Sequence, residues 1–541
     1  MSKVVVIEHR AEVARLLVER LRENHVVELR SFDGEPVDCV VYSPPLSRRE
    51  DTPDLADAEA IFRQCACAGI KQFVLISSAA IYGATPQNPG LIRETRALLK
   101  EDRFRIARAW TRLEQLAEKQ LSKGVALAIL RPAAVLAHGS EDYFTRLFRG
   151  RLAITLPGHE PSLQLLSPGD LADAVKCAIE RRSEGVFNVA PRSVIPLRKA
   201  LRLAHVKRLP VPRILQRPAR AVMNPLRLAH PVEQLDYIRY SWSVSDEKIK
   251  HQLGFEPTHS SAAALAEFSV ATKNHLPVDV ETQFDDFGMD TRYVSALGRT
   301  VFKFLEHYYW RIELKGLEQI PREGPAVLVG MHRGFMPWDG IMLIQQLFRL
   351  IGRCPRFLMA PGLVKMPFCF NFLTKLGGVI ACQDNADRML NRGELLGVFP
   401  EGIKGAFSLY RDAYRLQKFG RNDFVKMALR HQAPIVPFVT IGSAEILPIV
   451  KKFEWEWWKR RTEWPCLPLT LSPLPLPSKW HTQFLSPIEI KDVYPPEAAA
   501  DPATVRAISV EVRSRMEEAI ESILSRRKSI FFGSVFEQEA S

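Results

Sequence analysis

Two hydrophobic periodicities alternate along the first two hundred residues of the chain. Short apolar runs are separated by longer segments in which apolar residues recur at helical spacing. The runs predict strands at Val4–Ile7, Cys39–Tyr42, Phe73–Ser77 and Ala126–Leu130, and the longer segments predict helices at Ala11–Leu21, Leu55–Cys67 and Trp110–Lys119. Strands that alternate with crossover helices form a parallel sheet covered by helices on both faces. The N-terminal half is therefore predicted to be a doubly wound α/β domain.

The pattern changes in the second half. An amphipathic helix is predicted over Tyr293–Trp310, either as a packed core helix or as one lying at a membrane interface. A strand at Ala326–Val329 follows, and an amphipathic helix at Val505–Arg526 closes the chain. The polar segment 273–290 is predicted to be a linker, which gives domains at 1–272 and 291–535.

Composition agrees with a two-domain globular protein. The chain has 541 residues, 46% of them hydrophobic and 25% charged, which is too long for one ordinary domain. It contains no apolar run of about 18 residues, so a membrane-spanning helix is not expected. The N-terminus lacks a secretory signal pattern, and the eight cysteines show no C-x-x-C spacing. We therefore expect a cytoplasmic protein with reduced cysteines.

The net charge of +13 favours anionic partners, although an ordinary enzyme can also have a basic surface. Lys451-Lys452 and Lys459-Arg460-Arg461 flank three tryptophans, Trp455, Trp457 and Trp458. Indole rings and cations beside each other suit the headgroup layer of an anionic bilayer. We expect peripheral binding at the inner face of the membrane. No nucleic-acid-binding motif accompanies the charge, so nucleic acid is not an expected partner.

Four segments of the second half carry candidate chemistry. They are residues 326–340, 373–385, 393–405 and 433–446. In the first, an apolar strand leads to His332, and a turn leads on to Asp339. A hydroxyl that attacks a thioester needs a base, which a neutral imidazole provides near pH 7. A carboxylate on the second ring nitrogen fixes the tautomer and stabilises the imidazolium.

The order and spacing of these segments, with the FPEG sequence at 399–402, resemble the phosphate/glycerol acyltransferase superfamily, which contains the lysophosphatidate acyltransferases. The resemblance implies an α/β acyltransferase domain in which His332 is the general base and Asp339 orients it. Substrate would contact Glu401, Gly402, Lys404, Gly378 and Pro434, the last in the acyl pocket. Acyl-CoA or acyl-carrier protein would be the donor, and no metal or organic cofactor would be required.

Two departures from the family pattern concern the acceptor. Six residues separate His332 from Asp339 where the family usually has four, and longer loops occur in branches that act near neutral glycerides. Lys404 stands where the family often has an arginine, so a phosphate would lose a bidentate partner. The expected acceptor is lysophosphatidate, and a neutral glyceride is the alternative. A bifunctional or NAD-dependent oxidoreductase with a fused acyltransferase also stays open.

Residues 69–83, 127–139 and 185–191 resemble the extended short-chain dehydrogenase family, in its NAD-dependent epimerase branch. The chemistry of that family is incomplete here. The first βα turn, Ile7–Glu12, has no glycine that would let a pyrophosphate approach, and it has two glutamates that would repel one. Ile106 and Trp110 occupy the positions of the catalytic Tyr and Lys, and only Ser78 is retained. We expect no bound NAD(P), although a misaligned active dehydrogenase is the alternative.

Overall fold

The computed structural model describes residues 2–29, 32, 37–47, 51–99, 104–121, 124–212, 215, 232–273, 284–334, 336–420, 422–462 and 464–536. The chain divides into two compact units, Met1–Gly288 and Met289–Ser541. Of the predicted linker 273–290, residues 274–283 lie outside the described part.

The first unit is built on a six-stranded parallel sheet. Its strands are β1 (Lys3–Ile7), β2 (Val26–Leu29), β3 (Cys39–Tyr42), β4 (Gln72–Ile76), β5 (Ala126–Pro132) and β6 (Gly185–Val189). They lie in the order β6-β5-β4-β3-β1-β2, and every neighbouring pair is parallel. The chain reverses its direction of travel between β1 and β3, as in doubly wound folds. The predicted fold class is confirmed.

Alternate residues of these strands are buried on opposite faces of the sheet. Val5, Val40 and Phe73 belong to the core on one face, whereas Val4, Val41 and Val74 belong to the core on the other. Four helices cover the sheet: α1 (Ala11–Leu21), α2 (Leu55–Ala68), α3 (Arg105–Leu121) and α4 (Pro168–Glu180). Further helices are Tyr143–Arg149, Leu197–Leu203, Val232–Asp236, Glu247–Leu253 and Ser261–Lys273, and short strand pairs complete the unit at Ala134–Val135 with Leu165–Leu166, Leu152–Thr155 with Lys207–Pro210, and Ser162–Leu163 with Ile195–Pro196.

The second unit has a seven-stranded sheet. Its strands are β7 (Glu313–Lys315), β8 (Ala326–Gly330), β9 (Arg356–Met359), β10 (Val379–Ile380), β11 (Leu395–Val398), β12 (Ile435–Ile441) and, after a separate hairpin of β13 (Ile449–Phe453) and β14 (Leu467–Thr470), β15 (His481–Phe484). The order is β7-β15-β12-β8-β11-β9-β10, with only β12 and β15 antiparallel. The central strand β8 is fully buried and has a parallel neighbour on each side.

The helices of this unit are α5 (Thr291–Arg299), α6 (Trp338–Ile351), α7 (Pro367–Lys375), α8 (Gln383–Asn391), α9 (Asp423–Arg430), α10 (Glu456–Thr462) and α11 (Pro502–Arg526), with single turns at Val301–Phe304, Leu317–Gln319, Pro361–Lys365, Ile403–Ala406, Tyr410–Asp412, Ser443–Glu445 and Pro496–Ala500. The prediction of one helix over Tyr293–Trp310 is wrong. The helix ends at Arg299, since Thr300 has non-helical angles of φ −119° and ψ −98°, and a π-helical turn, Leu305–Tyr309, ends the segment. Among the described residues, no helix is long and apolar enough to span a bilayer.

Candidate functional site

His332 follows the carboxyl end of β8, and Asp339 lies in the first turn of α6. The Nδ1 atom of His332 is 2.9 Å from both carboxylate oxygens of Asp339. The same carboxylate accepts backbone N–H groups from Arg333 at 3.0 Å and Gly340 at 2.8 Å. These bonds fix the carboxylate, whose side chain is fully buried. The structure therefore brings the two predicted residues together in spite of the six residues between them.

This contact determines which nitrogen of His332 can act on a substrate. Because Nδ1 is held by Asp339, Nε2 is the nitrogen left for a hydroxyl. The imidazole stacks on Phe399, with ring centroids 5.0 Å apart, and 12% of its side chain is exposed. An imidazole oriented by a buried carboxylate has the geometry of a general base.

A buried ion pair connects the histidine loop to the FPEG turn. The guanidinium of Arg333 donates to both carboxylate oxygens of Glu401, at 2.8 and 2.9 Å, and both side chains are at most 1% exposed. Arg333 also donates to the backbone carbonyls of His332 and Ala413. The backbone N–H of Gln417 donates to Glu401 at 2.6 Å. Glu401 thus holds the loop that carries His332.

His332 lines a cavity of about 280 Å³. Its walls come from the start of α6, from β9, and from the turn Ile403–Ala406 with Phe407 and Trp464. Among the described residues that line it, His332 is the only ionisable one, and nearly all of the others are apolar. A base at an otherwise apolar cavity suits a reaction of a substrate that carries a hydrocarbon chain.

Of the remaining predicted substrate residues, the two glycines lie at the cavity and the lysine does not. Gly402 and Gly378 both line the cavity. Gly402 has a φ of +59° and a ψ of −149°, which a side chain would strain. Lys404 is exposed and does not line the cavity.

Pro434, predicted to lie in the acyl pocket, does not line this cavity. It precedes β12, and the pairing of Val327 with Ile435 sets it level with the start of β8. His332 lies beyond the opposite end of β8, and the strand alone separates the two by roughly 13 Å. The family motif at 433–446 identified β12, but it did not show which end of β12 lies near the cavity.

Arg333, Phe399 and Trp464 were missed by the sequence analysis. An arginine inside the apolar segment 326–340, adjacent to the candidate base, is a signal that could have identified Arg333, since a buried arginine needs an acidic partner. Nothing in the local sequence marks Trp464, which lies outside the four segments and follows the end of the last one, 433–446.

The first unit has its own cavity, of about 440 Å³, at the carboxyl ends of β1 and β3. The βα turn that would receive a pyrophosphate is filled by an internal ion pair. Glu8 accepts the backbone N–H of Arg10 at 3.0 Å and its guanidinium at 2.8 and 2.9 Å. The hydroxyl of Ser78 accepts the N–H of Ala80 and caps a short turn.

A second buried network includes Ser77, which lines that cavity. Arg131 donates to both carboxylate oxygens of Glu114, at 2.9 and 2.6 Å, and to the hydroxyl of Tyr82 at 2.7 Å. Ser77 donates to Glu114 as well. Burial of Ile106 and Trp110 is consistent with packing rather than proton transfer.

Comparison with known proteins identifies the second unit. The family described as Acyltransferase matches residues 311–441. The uncharacterized protein Rv0502 of Mycobacterium tuberculosis is 39% identical over 259 residues, which are 46% of this chain and 72% of the relative. A cattle protein, the DGAT1/2-independent enzyme synthesizing storage lipids, is 24% identical over 40% of this chain and 60% of its own length.

A solved structure resembles the first unit. The human epimerase family protein SDR39U1, with NADPH, is 18% identical and covers 49% of this chain and 99% of its own, with a TM-score of 0.40. This TM-score is low, so the assignment of a doubly wound sheet rests on the strand order alone.

Proposed function

The chain belongs to the family of the mycobacterial protein Rv0502 and carries an acyltransferase domain, and from this premise we propose that it transfers a fatty acyl group from a thioester to a glycerolipid hydroxyl. The observation that carries the proposal is the His332–Asp339 pair at the edge of an apolar cavity. The donor is acyl-CoA or acyl-carrier protein, and no metal takes part in the transfer.

In the proposed reaction, Nε2 of His332 takes the proton of the acceptor hydroxyl while its oxygen attacks the carbonyl carbon of the thioester. Asp339 keeps the proton on Nδ1 beforehand and stabilises the imidazolium that forms. The tetrahedral intermediate then expels the thiolate, so a C–O bond forms and the C–S bond breaks. The leaving sulfur takes the proton from the imidazolium, which restores the neutral base.

The ion pair between Arg333 and Glu401 supports this reaction indirectly. It joins the histidine loop to the turn that follows β11, because the guanidinium of Arg333 binds both the carbonyl of His332 and the carboxylate of Glu401 in that turn. A base that is held in place before substrate arrives loses less entropy in the transition state. We assign Glu401 a positioning role, in place of direct contact with the acceptor.

The cavity favours a neutral glyceride as the acceptor. Its described lining contains no lysine or arginine that would compensate a phosphate. Synthesis of storage lipids by the cattle relative points in the same direction. Lysophosphatidate is the second candidate. Gly402 lines the cavity, and the exposed Lys404, two residues further along the chain, could bind a phosphate.

An acceptor panel tests the proposal. The purified chain would be given radiolabelled acyl-CoA with monoacylglycerol, diacylglycerol or lysophosphatidate, and the products would be separated by chromatography. We expect the largest kcat/KM with a neutral glyceride. A preference for lysophosphatidate that Lys404→Ala removes would establish the second candidate instead, and no product with any acceptor would refute lipid acyl transfer.

For the first unit, we propose that NAD(P) is not a cofactor. The turn after β1 has no glycine, and Glu8 already binds the guanidinium of Arg10, so this arginine is not available to a pyrophosphate. Titration with NADH or NADPH, followed by fluorescence transfer from tryptophan, should show no saturable binding at micromolar concentration. Saturable binding would instead support the dehydrogenase alternative.

A further inference from the structure

The segment 449–470, which we name the tryptophan hairpin, contains β13, α10 and β14, and its two strands form a sheet of their own. Both faces of β13 are exposed to solvent from Val450 to Phe453. Trp455 and Trp457 follow, 51% and 56% exposed, with ring centroids 5.1 Å apart. Adjacent exposed apolar side chains of this size usually mark a binding surface.

The hairpin contributes Trp464 to the cavity wall. Trp458, the neighbour of exposed Trp457, contacts Trp464 with ring centroids 5.9 Å apart. Trp464 in turn packs edge-to-face on Phe407 at 5.6 Å, and both of these residues line the cavity beside His332. The exposed tryptophans and the wall of the cavity therefore belong to one packed cluster.

The exposed apolar surface continues around this cluster. Leu469, Leu471 and Leu474 are 47%, 68% and 71% exposed on the return strand and the segment after it. Phe368 is 71% exposed, two residues after Met366, which packs on the Phe407–Trp464 cluster.

The charges of the hairpin identify the kind of partner. Residues 449–470 contain five basic and three acidic side chains, a net charge of +2. Lys459 is paired with Glu454 and Glu456, whereas Lys451, Lys452 and Arg460 are exposed. Indoles with exposed cations beside them fit the headgroup layer of an anionic bilayer. A protein partner would more often meet such an apolar surface with a polar rim of mixed charge.

We infer that the tryptophan hairpin docks the protein on an anionic bilayer, with Trp455 and Trp457 in the headgroup layer. The cavity wall is then held at the membrane surface, where a glyceride acceptor resides. The identity of that acceptor rests on the proposed function, whereas the docking does not depend on it.

Vesicle sedimentation of the full chain tests the inference. Vesicles of equimolar phosphatidylcholine and phosphatidylglycerol are compared with vesicles of phosphatidylcholine alone. Trp455→Ala/Trp457→Ala should weaken binding at least about tenfold, because about half of each indole loses its apolar contact. Lys451→Glu/Lys452→Glu should weaken binding to the anionic vesicles by at least about tenfold and have a smaller effect on the neutral ones. Added salt should reduce the wild-type preference for anionic lipid.

Matched controls lie on the same unit. Lys491→Glu/Arg506→Glu makes the same change of net charge at two exposed positions outside the hairpin, and Val510→Ala removes an exposed apolar side chain. These variants should bind vesicles as the wild type does. Hairpin variants that sediment as the wild type does would overturn the inference. A wild type that is dimeric without lipid, with hairpin variants that are monomeric, would also overturn it by identifying a second copy as the occupant.

Acyl transfer is measured separately, with short-chain acyl-CoA and a short-chain acceptor that stay in solution. The hairpin variants should keep their wild-type rate there and lose rate only on vesicles. If the wild type binds vesicles through the hairpin but transfers no acyl group, the proposed function fails and the docking stands. A loss of soluble activity equal to the loss on vesicles would show that the hairpin acts on the cavity, not on the membrane, and would contradict the inference.

Discussion

Replacing Glu401 with Gln should destabilise the second unit by an amount that a surface residue could not produce. The change leaves the guanidinium of Arg333 buried, at most 1% exposed, without its carboxylate partner. Removing one member of a buried pair costs about 3–5 kcal/mol. For a unit of this size, each kcal/mol lowers Tm by roughly 2–4 °C, so the expected loss is on the order of 6–20 °C.

Denaturant and thermal unfolding followed by tryptophan fluorescence would measure this loss. The signal reports mainly the second unit, which holds Trp310, Trp338, Trp480 and the four tryptophans of the hairpin region. Glu517→Gln, which breaks an exposed pair with Arg513, is the control and should cost no more than about 0.5 kcal/mol. Glu401→Leu combined with Arg333→Met should recover much of the lost stability, since no charge then remains buried.

The kinetics of the Glu401→Gln variant separate positioning from direct binding. At a temperature where it is folded, kcat should fall while KM for the acceptor stays near that of the wild type. A stability within about 1 kcal/mol of the wild type, together with a large rise in KM, would refute the positioning role and restore the acceptor contact expected from family resemblance.

Three further predictions concern single side chains. Asp339→Asn should lower kcat by about 10²–10⁴-fold with little change in KM, measured by steady-state acyl transfer, because the amide no longer fixes the tautomer of the base. Gly378→Ala should reduce the preference for long over short acyl-CoA by roughly tenfold, measured as a kcat/KM ratio, since a methyl group there would lie 2.5 Å from Sδ of Met359 in the cavity wall. Burial lowers the pKa of His159 to about 4. The unfolded chain therefore takes up a proton at this histidine before the folded chain does, and the stability of the first unit falls as pH falls from 6.5 toward 4. The expected loss in the free energy of unfolding between pH 7 and pH 5 is about 2 kcal/mol. His159→Gln should reduce this pH dependence in hydrogen exchange of the first unit, and an unchanged dependence would exclude the assignment.

The parts of the fold that the sequence predicted depend on local pattern. Strands such as Val4–Ile7 are continuous apolar runs, and burial on both faces requires that pattern whatever surrounds them. The helix at Ala11–Leu21 was predicted with the bounds that the structure has. His332 and Asp339 could be paired because a short loop joins the two elements that carry them. The acyltransferase family predicted from the FPEG turn is confirmed.

The parts that were missed depend on contacts between distant segments. Arg333 and Glu401 are 68 residues apart, so no local pattern shows that one neutralises the other. Trp464 reaches the cavity from a hairpin whose tertiary packing has no sequence signature. The break at Thr300 follows a close approach of α5 to α6, where a Cβ at Gly298 would lie 2.0 Å from the amide of Gln345. Periodicity alone continues through this position and therefore predicted one helix.

The central claim is that His332 is the general base of an acyl transfer, and substitution of this residue tests it most directly. His332→Ala should lower kcat by at least about 10³-fold with the full chain, acyl-CoA and the preferred acceptor of the panel. Its Tm should remain near that of the wild type, because Asp339 keeps the backbone N–H groups of Arg333 and Gly340. Its vesicle binding should also be unchanged, because the exposed Trp455 and Trp457 are retained. A folded His332→Ala variant with kcat within about threefold of the wild type would contradict the account.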